Sequence, residues 1–181
     1  MPDVPNMDDA KLALRLYELR REPELRKARK MVGDLLDGAS WETVQAVRAY
    51  GHKENAHFRQ VTSYWEMVCA FVNRGIFHPD VFLDTCGEAL YTFSALEPHV
   101  AKIRESGSPR FLLQTEKVIE GNLAVKERMD TIRAMRAQWA AQAAAAKAAK
   151  SSGKKPAKPP AAKPPAAKPP AAKPPAAKKP K

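Results

Sequence analysis

Apolar residues recur at spacings of three and four along the first 140 or so residues of the chain, and convincing alternation of apolar and polar residues is absent. The first spacing places apolar side chains on one face of an α-helix, whereas alternation is typical of strands. The pattern predicts a helix over about 8–21, a second one from Pro23, a short third one capped by Ser40, and a fourth over about 55–73. An all-α fold is therefore expected.

The fourth predicted helix has the most continuous apolar face, so we expect it at the centre of the core. The residues on that face are Phe58, Val61, Trp65, Val68, Phe71 and Val72. The apolar residues of the third helix are Trp41, Val44, Val47 and Tyr50. Further along, His78 and Pro79 predict a fifth helix that continues through Cys86, and Pro98 predicts a bend or a new segment that reaches Ile103.

A long last helix is predicted from Pro109 towards Ala149, with Ser108 as its N-cap and Gly121 as a candidate break. The apolar residues Val118, Val125, Ile132 and Trp139 recur in it at intervals of seven. This interval is typical of a coiled coil, but the partner positions hold Asn122, Met129 and Arg136, two of which are polar. We therefore expect the stripe to pack on the protein's own core, with self-association as the alternative.

The C-terminal segment is a repeat of low complexity. From Lys158 the sequence KPPAA occurs four times through Ala177, and the chain ends in KKPK. Paired prolines forbid helix, and alanine and lysine leave nothing to bury. We predict an all-helical globular domain over 1–140, an alanine-rich helix extension over 141–150 and a disordered tail over 151–181. The domain should be a single compact bundle of five to six helices with a long C-terminal helix.

The net charge of +11 belongs entirely to the end of the chain. Residues 1–146 contain 20 Lys and Arg and 20 Asp and Glu, whereas residues 147–181 contain 11 Lys and no acidic residue. The candidate polyanion-binding residues are Lys154, Lys155, Lys158, Lys163, Lys168, Lys173, Lys178, Lys179 and Lys181. In polyproline II the repeat lysines would lie roughly 15 Å apart, while duplex DNA carries a charge about every 1.7 Å. We expect weak nucleic-acid or other polyanion binding without sequence preference.

Other interpretations of the tail stay open. The Pro-x-x-Pro spacing that SH3-type domains bind occurs once, between Pro156 and Pro159, so such a partner is disfavoured. An anionic lipid surface would attract the same lysines. Alternatively, the tail is a solubilising spacer beside a protein-interaction or self-associating scaffold domain.

Candidate metal-binding residues form no complete motif. Glu54 and His57 form one Glu-x-x-His pair, but a carboxylate-bridged di-iron bundle needs two such pairs and two further glutamates. His57 is therefore expected to be a capping or partly exposed histidine, and no metal or cofactor is predicted. The other histidines, His52, His78 and His99, also lie near predicted helix ends.

Candidate catalytic residues are equally sparse. Cys69 and Cys86 lie within apolar helical faces, where a buried structural thiol is more common than a nucleophile. Glu66 and Glu88 fall inside apolar segments, so each is either a general base with a raised pKa or the solvent edge of its helix. The solvent edge is favoured. The sequence thus favours a non-enzymatic binding module over an enzyme or metal-binding bundle.

The sequence shows no sign of a signal peptide or of a membrane-spanning segment. The start, MPDVPNMDD, lacks the layout of a signal peptide, and the apolar window 61–77 is too short and too charged to span a bilayer. A reducing cytoplasm without a transmembrane segment is expected.

The basic residues over the first two helices are Arg20, Arg21, Arg26, Lys27, Arg29 and Lys30. Glu18, Glu22 and Glu24 interleave with them, which predicts pairing within the helices.

Three stretches carry a resemblance to a known family. They are LYELRREPELRKAR from Leu16, NAHFRQVTSYWEM from Asn55 and FVNRGIFHPDVFLDTCGEALYTF from Phe71. Together they resemble a family of uncharacterised bacterial all-helical proteins, a domain of unknown function, over about 8–136. The resemblance implies the fold and transfers no activity, ligand or site residue. The tail is similar in composition to the tails of linker histones and bacterial nucleoid proteins.

Overall fold

A computed structural model describes the backbone of residues 4–151 and the side chains of residues 4–146. This part of the chain is helical and contains no β-strand. The α-helices are α1 (Met7–Arg20), α2 (Pro23–Met31), α3 (Trp41–Arg48), α4 (Asn55–Asn73), α5 (Pro79–Thr85), α6 (Glu88–Leu96), α7 (Val100–Glu105), α8 (Leu113–Gly121) and α9 (Leu123–Ser151). A π-helical turn, Val32–Leu36, extends α2, and a 3-10 turn, Glu97–His99, joins α6 to α7. The all-α prediction is confirmed.

The helix starts follow local capping signals. Asn6 accepts hydrogen bonds from the backbone N–H groups of Asp8 and Asp9, and the Asp9 carboxylate accepts one from the Asn6 N–H, which makes a capping box. Ser40 caps α3 through the Thr43 N–H, and the His78 side chain caps α5. Caps of this kind satisfy N–H groups that have no partner within the helix. These starts lie where the sequence predicts them.

The core is built around α4, which contacts α2 and α8 most extensively. All the predicted apolar positions of α4 are buried except Phe71, which is partly buried. Trp65 is 1% exposed, and the same core cluster contains Leu36, Phe82 and Met129 from other elements. Burying side chains of this size contributes roughly 1.5–3 kcal/mol each. The position of the fourth helix at the centre of the domain is confirmed.

Two predicted helices are shorter in the structure. The third ends at Arg48, because Ala49 is extended with a ψ of 137°, and Tyr50 is 100% exposed instead of buried. The predicted fifth helix is interrupted at Cys86, whose φ of −118° and ψ of 21° are not helical. Cys86 nevertheless remains buried, so the apolar spacing through it reflects packing and not an unbroken helix.

The predicted start of the last helix is wrong. Ser108 and Pro109 lead into a turn, Leu112 adopts a left-handed φ of 49°, and α8 begins at Leu113. A second interruption falls at Asn122, one residue after the candidate break, and its Oδ1 accepts from the Val125 N–H at 3.0 Å. What was predicted as one helix is therefore two, α8 and α9.

The seven-residue stripe divides between the core and the surface. Val118, Val125 and Ile132 are at most 2% exposed, and Met129 is fully buried between them. Trp139 is 52% exposed. Packing of the stripe on the protein's own core is therefore confirmed as far as Ile132 and ends before Trp139.

The contacts divide the chain into a unit of Met1–Ala144 and a second unit after it. The predicted tail over 151–181, with its nine candidate lysines, lies outside the described residues apart from the backbone of Ser151, so its disorder stays a prediction. Among the helices that the structure describes, none is both long enough and apolar enough to cross a bilayer.

Candidate functional site

A cleft of about 790 Å³ lies between α4 and the segment that joins α7 to α8. Its α4 wall is a single helical stripe, since Asn55, Arg59, Thr62 and Glu66 follow each other at intervals of three and four residues. The opposite wall consists of Ser108, Arg110, Phe111 and Leu112. We call this space the α4 cleft. Its volume falls within the range of roughly 300–1,000 Å³ that small-molecule sites occupy.

The C-terminal end of α3 is fixed at one end of the α4 cleft by Asn55. Asn55 Nδ2 donates to the carbonyl oxygens of Val47 at 3.1 Å and of Arg48 at 2.9 Å. Carbonyl groups in the last turn of a helix have no partner within that helix, so this amide satisfies two of them. The side chains of Arg48 and Tyr50 consequently lie at the Asn55 end of the cleft.

Arg48 is held by hydroxyl groups and not by a carboxylate. Its Nη1 lies 2.8 Å from Ser106 Oγ, and its Nη2 lies 3.3 Å from Ser108 Oγ. Partial burial lowers the pKa of Arg48 from its ordinary value, but an arginine keeps its proton in proteins. The two hydroxyls orient the guanidinium without neutralising it.

Arg59 and Arg110 add two further cations to the walls. Both side chains are exposed, and within residues 4–146 neither forms an ion pair. The cleft therefore collects three arginines whose charges are not balanced by a direct carboxylate partner among the described side chains. Anions are attracted to such a surface.

Glu66 lies at the other end of the stripe, roughly 16 Å from Asn55 along the helix axis. Its carboxylate accepts from Gln114 N at 2.6 Å, from Thr115 N at 3.1 Å and from Thr115 Oγ1 at 3.0 Å. It therefore caps the start of α8, where the helix dipole favours a negative charge. The favoured prediction of a solvent edge is wrong for Glu66, because the side chain fills a contact between two helices.

The wall opposite α4 is anchored by an aromatic pair. The rings of Phe58 and Phe111 stack at a centroid distance of 5.9 Å with an interplanar angle of 5°. Arg104 Nε also donates to the Phe111 carbonyl at 3.0 Å, and its Nη1 pairs with Glu116 at 2.8 Å. These contacts fix the segment that carries Ser108 and Arg110.

The Glu54–His57 pair lies outside the lining of this cleft. His57 Nδ1 lies 2.8 Å from Glu54 Oε2, and its Nε2 lies 3.5 Å from Glu24 of α2. The hydrogen bond to Glu54 raises the pKa of His57, and the second carboxylate acts in the same direction. His57 is partly exposed, as predicted, and it joins α4 to α2 electrostatically.

The remaining sequence candidates are occupied by structural contacts. Burial raises the pKa of the Cys69 thiol to about 12 and also raises that of Cys86, so the prediction of buried structural thiols is confirmed. Glu88 forms a two-point ion pair with Arg29 of α2, with both distances at 2.5 Å. This partly buried pair replaces the predicted solvent edge for Glu88.

The basic residues of the first two helices are paired in part as predicted. Lys27 pairs with Glu24, Lys30 pairs with Asp34, and Arg29 binds Glu88 of another helix. Arg20 and Arg26 donate instead to the carbonyl oxygens of Thr85 and Arg21. This cluster is therefore engaged within the domain.

Sequence reasoning did not single out any arginine of the α4 cleft. Arg48, Arg59 and Arg110 lie on three separate elements, and only the fold brings them to one space. One local signal was available, because Tyr50 directly precedes Gly51, which is a frequent residue type at a helix end. A helix that ended before Tyr50 would leave this aromatic side chain on the surface.

Comparison with known proteins places the chain in a family by sequence alone. No curated protein and no solved structure matches it significantly. A family model, described as a domain of unknown function (DUF4760), matches residues 7–121, which run from the start of α1 to the end of α8 and include every residue of the α4 cleft. The chain therefore belongs to the DUF4760 family.

Proposed function

We propose that the protein is a non-enzymatic helical binding module of the bacterial cytoplasm whose lysine-rich tail binds nucleic acid weakly and without sequence preference. The observation that carries the proposal is the separation of charge along the chain. The first 146 residues are formally neutral, and the following 35 hold 11 lysines and no acid. Two unpaired, buried cysteines fit a reducing compartment.

The helical domain supports this division because its 20 basic residues are matched by 20 acidic ones, and eight of the described basic side chains form direct ion pairs with carboxylates. Ion pairs join Lys11 to Asp8, Arg15 to Glu18, Lys27 to Glu24, Lys30 to Asp34, Arg29 to Glu88, Arg104 to Glu116, Arg133 to Glu97 and Asp130, and Arg136 to Asp37. Most exposed pairs of this type contribute little to stability. Because the domain carries no net charge, long-range attraction to a polyanion falls to the tail.

The spacing of the tail lysines sets the strength of this attraction. A polyproline II tail passes about nine phosphate charges of duplex DNA for each lysine. Three residues per turn and a five-residue repeat also rotate successive lysines around the axis. In that conformation the tail would present no single basic face, and its sequence has no aromatic residue to stack on bases. It is proposed as a tether and not as a reader of sequence.

The test is a full-length variant in which the nine candidate lysines are replaced by glutamine. Binding to a fluorescent duplex DNA is measured by anisotropy over a range of salt concentrations. Each lysine that contacts phosphate contributes about 0.9 to the slope of log K against log salt, so the variant should lose most of that slope. A matched variant with the same nine lysines replaced by arginine should keep it. Equal binding by the glutamine variant and the natural chain would contradict the proposal.

A second candidate function is protein interaction or weak self-association through α9. The observation that favours it is the exposure of Leu123 at 73% and of Trp139 at 52% on a helix whose Val125, Met129 and Ile132 are buried. Sedimentation of the full chain at high micromolar concentration tests it. A concentration-dependent dimer that disappears on Trp139→Ala supports the second function, and a strict monomer contradicts it.

A further inference from the structure

We propose that the α4 cleft binds a nucleotide unit, with its phosphate on Arg48, Arg59 and Arg110 and its base on the ring of Tyr50. The inference goes beyond the proposed function of the tail, because it assigns a second site on the helical domain. The shared chemistry is a phosphate joined to an aromatic base. A free mononucleotide and a single strand of nucleic acid both provide it.

The first argument is the excess of positive charge in a neutral domain. Five of the ten other arginines within residues 4–146 pair with a carboxylate, namely Arg15, Arg29, Arg104, Arg133 and Arg136. Within the described side chains, the three arginines of the cleft have no such partner. The single acid of the lining, Glu66, is occupied by three hydrogen bonds from α8. An anion entering at the Asn55 end therefore meets uncompensated guanidinium charge.

The second argument is the preorganisation of Arg48. A guanidinium has five N–H donors in a planar fork, and Ser106 and Ser108 use one from each terminal nitrogen. Three donors stay free for a ligand. Because neutral hydroxyls hold the group, its full charge is available, and an oriented arginine loses less entropy when it binds phosphate at two points.

The third argument is the convergence of the three arginines at one end of the cleft. Asn55 holds the Arg48 carbonyl at 2.9 Å, and Arg59 follows Asn55 by one helical turn, a rise of about 6 Å. Arg110 follows Ser108, a direct partner of Arg48, by two residues. A single phosphate or two neighbouring ones can consequently lie within reach of all three side chains.

The fourth argument is the aromatic ring beside the arginines. Tyr50 is 100% exposed and lines the cleft, whereas Phe58 and Phe111 are stacked on each other. Tyr50 lies two residues after Arg48 across an extended Ala49, a separation of about 7 Å. Bases stack on exposed aromatic rings without regard to sequence. A phosphate that carries no base would leave this ring unused, so the pairing of arginines with Tyr50 favours a nucleotide.

The experiment uses the full chain with the nine tail lysines replaced by glutamine, so that tail binding does not mask the cleft. The probes are a fluorescent ten-nucleotide single-stranded DNA, followed by anisotropy, and adenosine monophosphate, followed by calorimetry. In this background Arg59→Ala and Arg110→Ala should each weaken binding about tenfold, and Tyr50→Ala at least about fivefold. The matched controls Arg128→Ala and Tyr17→Ala alter exposed residues outside the cleft and should leave affinity unchanged.

The two probes separate the sources of the nucleotide. Loss of adenosine monophosphate binding in the cleft variants identifies a free nucleotide as a ligand, and an effect on the DNA probe alone identifies a single strand. Inorganic phosphate that competes as well as adenosine monophosphate, together with an unchanged Tyr50→Ala variant, would overturn the proposal. So would absence of binding to both probes by a chain whose circular dichroism is unaltered. Neither result would affect the duplex-binding test of the tail.

Discussion

Glu66 shows how a single side chain on α4 determines where another helix begins. Its carboxylate accepts hydrogen bonds from the Gln114 and Thr115 N–H groups and from the Thr115 hydroxyl, so it supplies the capping acceptor of α8 from 48 residues away. Loss of an N-cap costs about 0.5–2 kcal/mol, and hydrogen bonds to a charged group are worth about 1.5–3 kcal/mol. We expect Glu66→Ala to lower the free energy of unfolding by about 2 kcal/mol in urea denaturation.

Two further variants make that measurement specific. Glu66→Gln keeps one acceptor oxygen and the shape of the side chain but loses the charge, so its destabilisation should be smaller. Glu120→Ala removes an exposed acid of α8 that has no partner among the described side chains, and it should change stability by less than about 0.5 kcal/mol. Equal effects of Glu66→Ala and Glu120→Ala would show that the cap contributes nothing.

His57 should give the stability of the domain a pH dependence of known sign. Hydrogen bonding to Glu54 and proximity to Glu24 raise its pKa in the folded state above the ordinary 6.5. The protonated form is therefore favoured by folding. The stabilisation is fully present below the unfolded pKa and is lost as the pH rises through the folded pKa. An NMR titration should find the His57 pKa above 6.5 and should find it lower in Glu54→Gln; a value at or below 6.5 in the natural chain would contradict the assignment.

The contrast between these residues explains how much of the candidate site the sequence could predict. The interaction of His57 with Glu54 joins positions three apart at the start of α4, so the pair was visible as a motif, although its role is structural. Glu66 and Arg48 depend on partners 48 to 60 residues away. No periodicity encodes such a partner, because tertiary packing alone brings the two segments together. The arginines of the α4 cleft were missed for this reason.

At the scale of helices, the sequence predicted those helix starts that are capped by the residue directly before the helix. Asn6, Ser40 and His78 each cap their own helix, and each lies directly before the apolar pattern of that helix. The start of α8 has a distant cap, and the apparent signal at Ser108 and Pro109 instead forms a turn that ends in the left-handed Leu112. Helix starts were therefore predictable where the capping residue lies next to them in sequence.

The stripe along α8 and α9 leads to a prediction about where packing stops. Ile132 is fully buried, whereas Trp139, one heptad later, is 52% exposed. Truncating a buried isoleucine to alanine typically costs about 2–5 kcal/mol. We expect Ile132→Ala to destabilise the domain by that amount and Trp139→Ala to change its stability by less than about 0.5 kcal/mol. Urea denaturation of both variants measures this, and a large loss for Trp139→Ala would place an additional packing surface on α9.

At the scale of the whole chain, the apolar core and the net positive charge lie in different segments. The core consists of apolar side chains from α1 to α9, and many of the ion pairs on the domain surface are exposed. The excess lysines lie after residue 146. The spacing of apolar residues predicted the fold class, and the distribution of charged residues showed the charge separation, because both are properties of continuous sequence segments. Neither observation predicted the α4 cleft, which is formed by separate segments.

This separation predicts that salt changes the stability of the domain little and weakens the binding of duplex DNA strongly. Exposed ion pairs are screened but contribute little, so raising sodium chloride from about 0.05 to 0.5 M should change the free energy of unfolding of the full chain by less than about 1 kcal/mol. Engagement of only four tail lysines with duplex DNA would lower the association constant more than about a thousandfold over the same tenfold range. Urea denaturation and anisotropy on one preparation measure both. A parallel fall of stability and affinity would mean that the tail lysines also stabilise the folded domain, and the division of roles along the chain would be wrong.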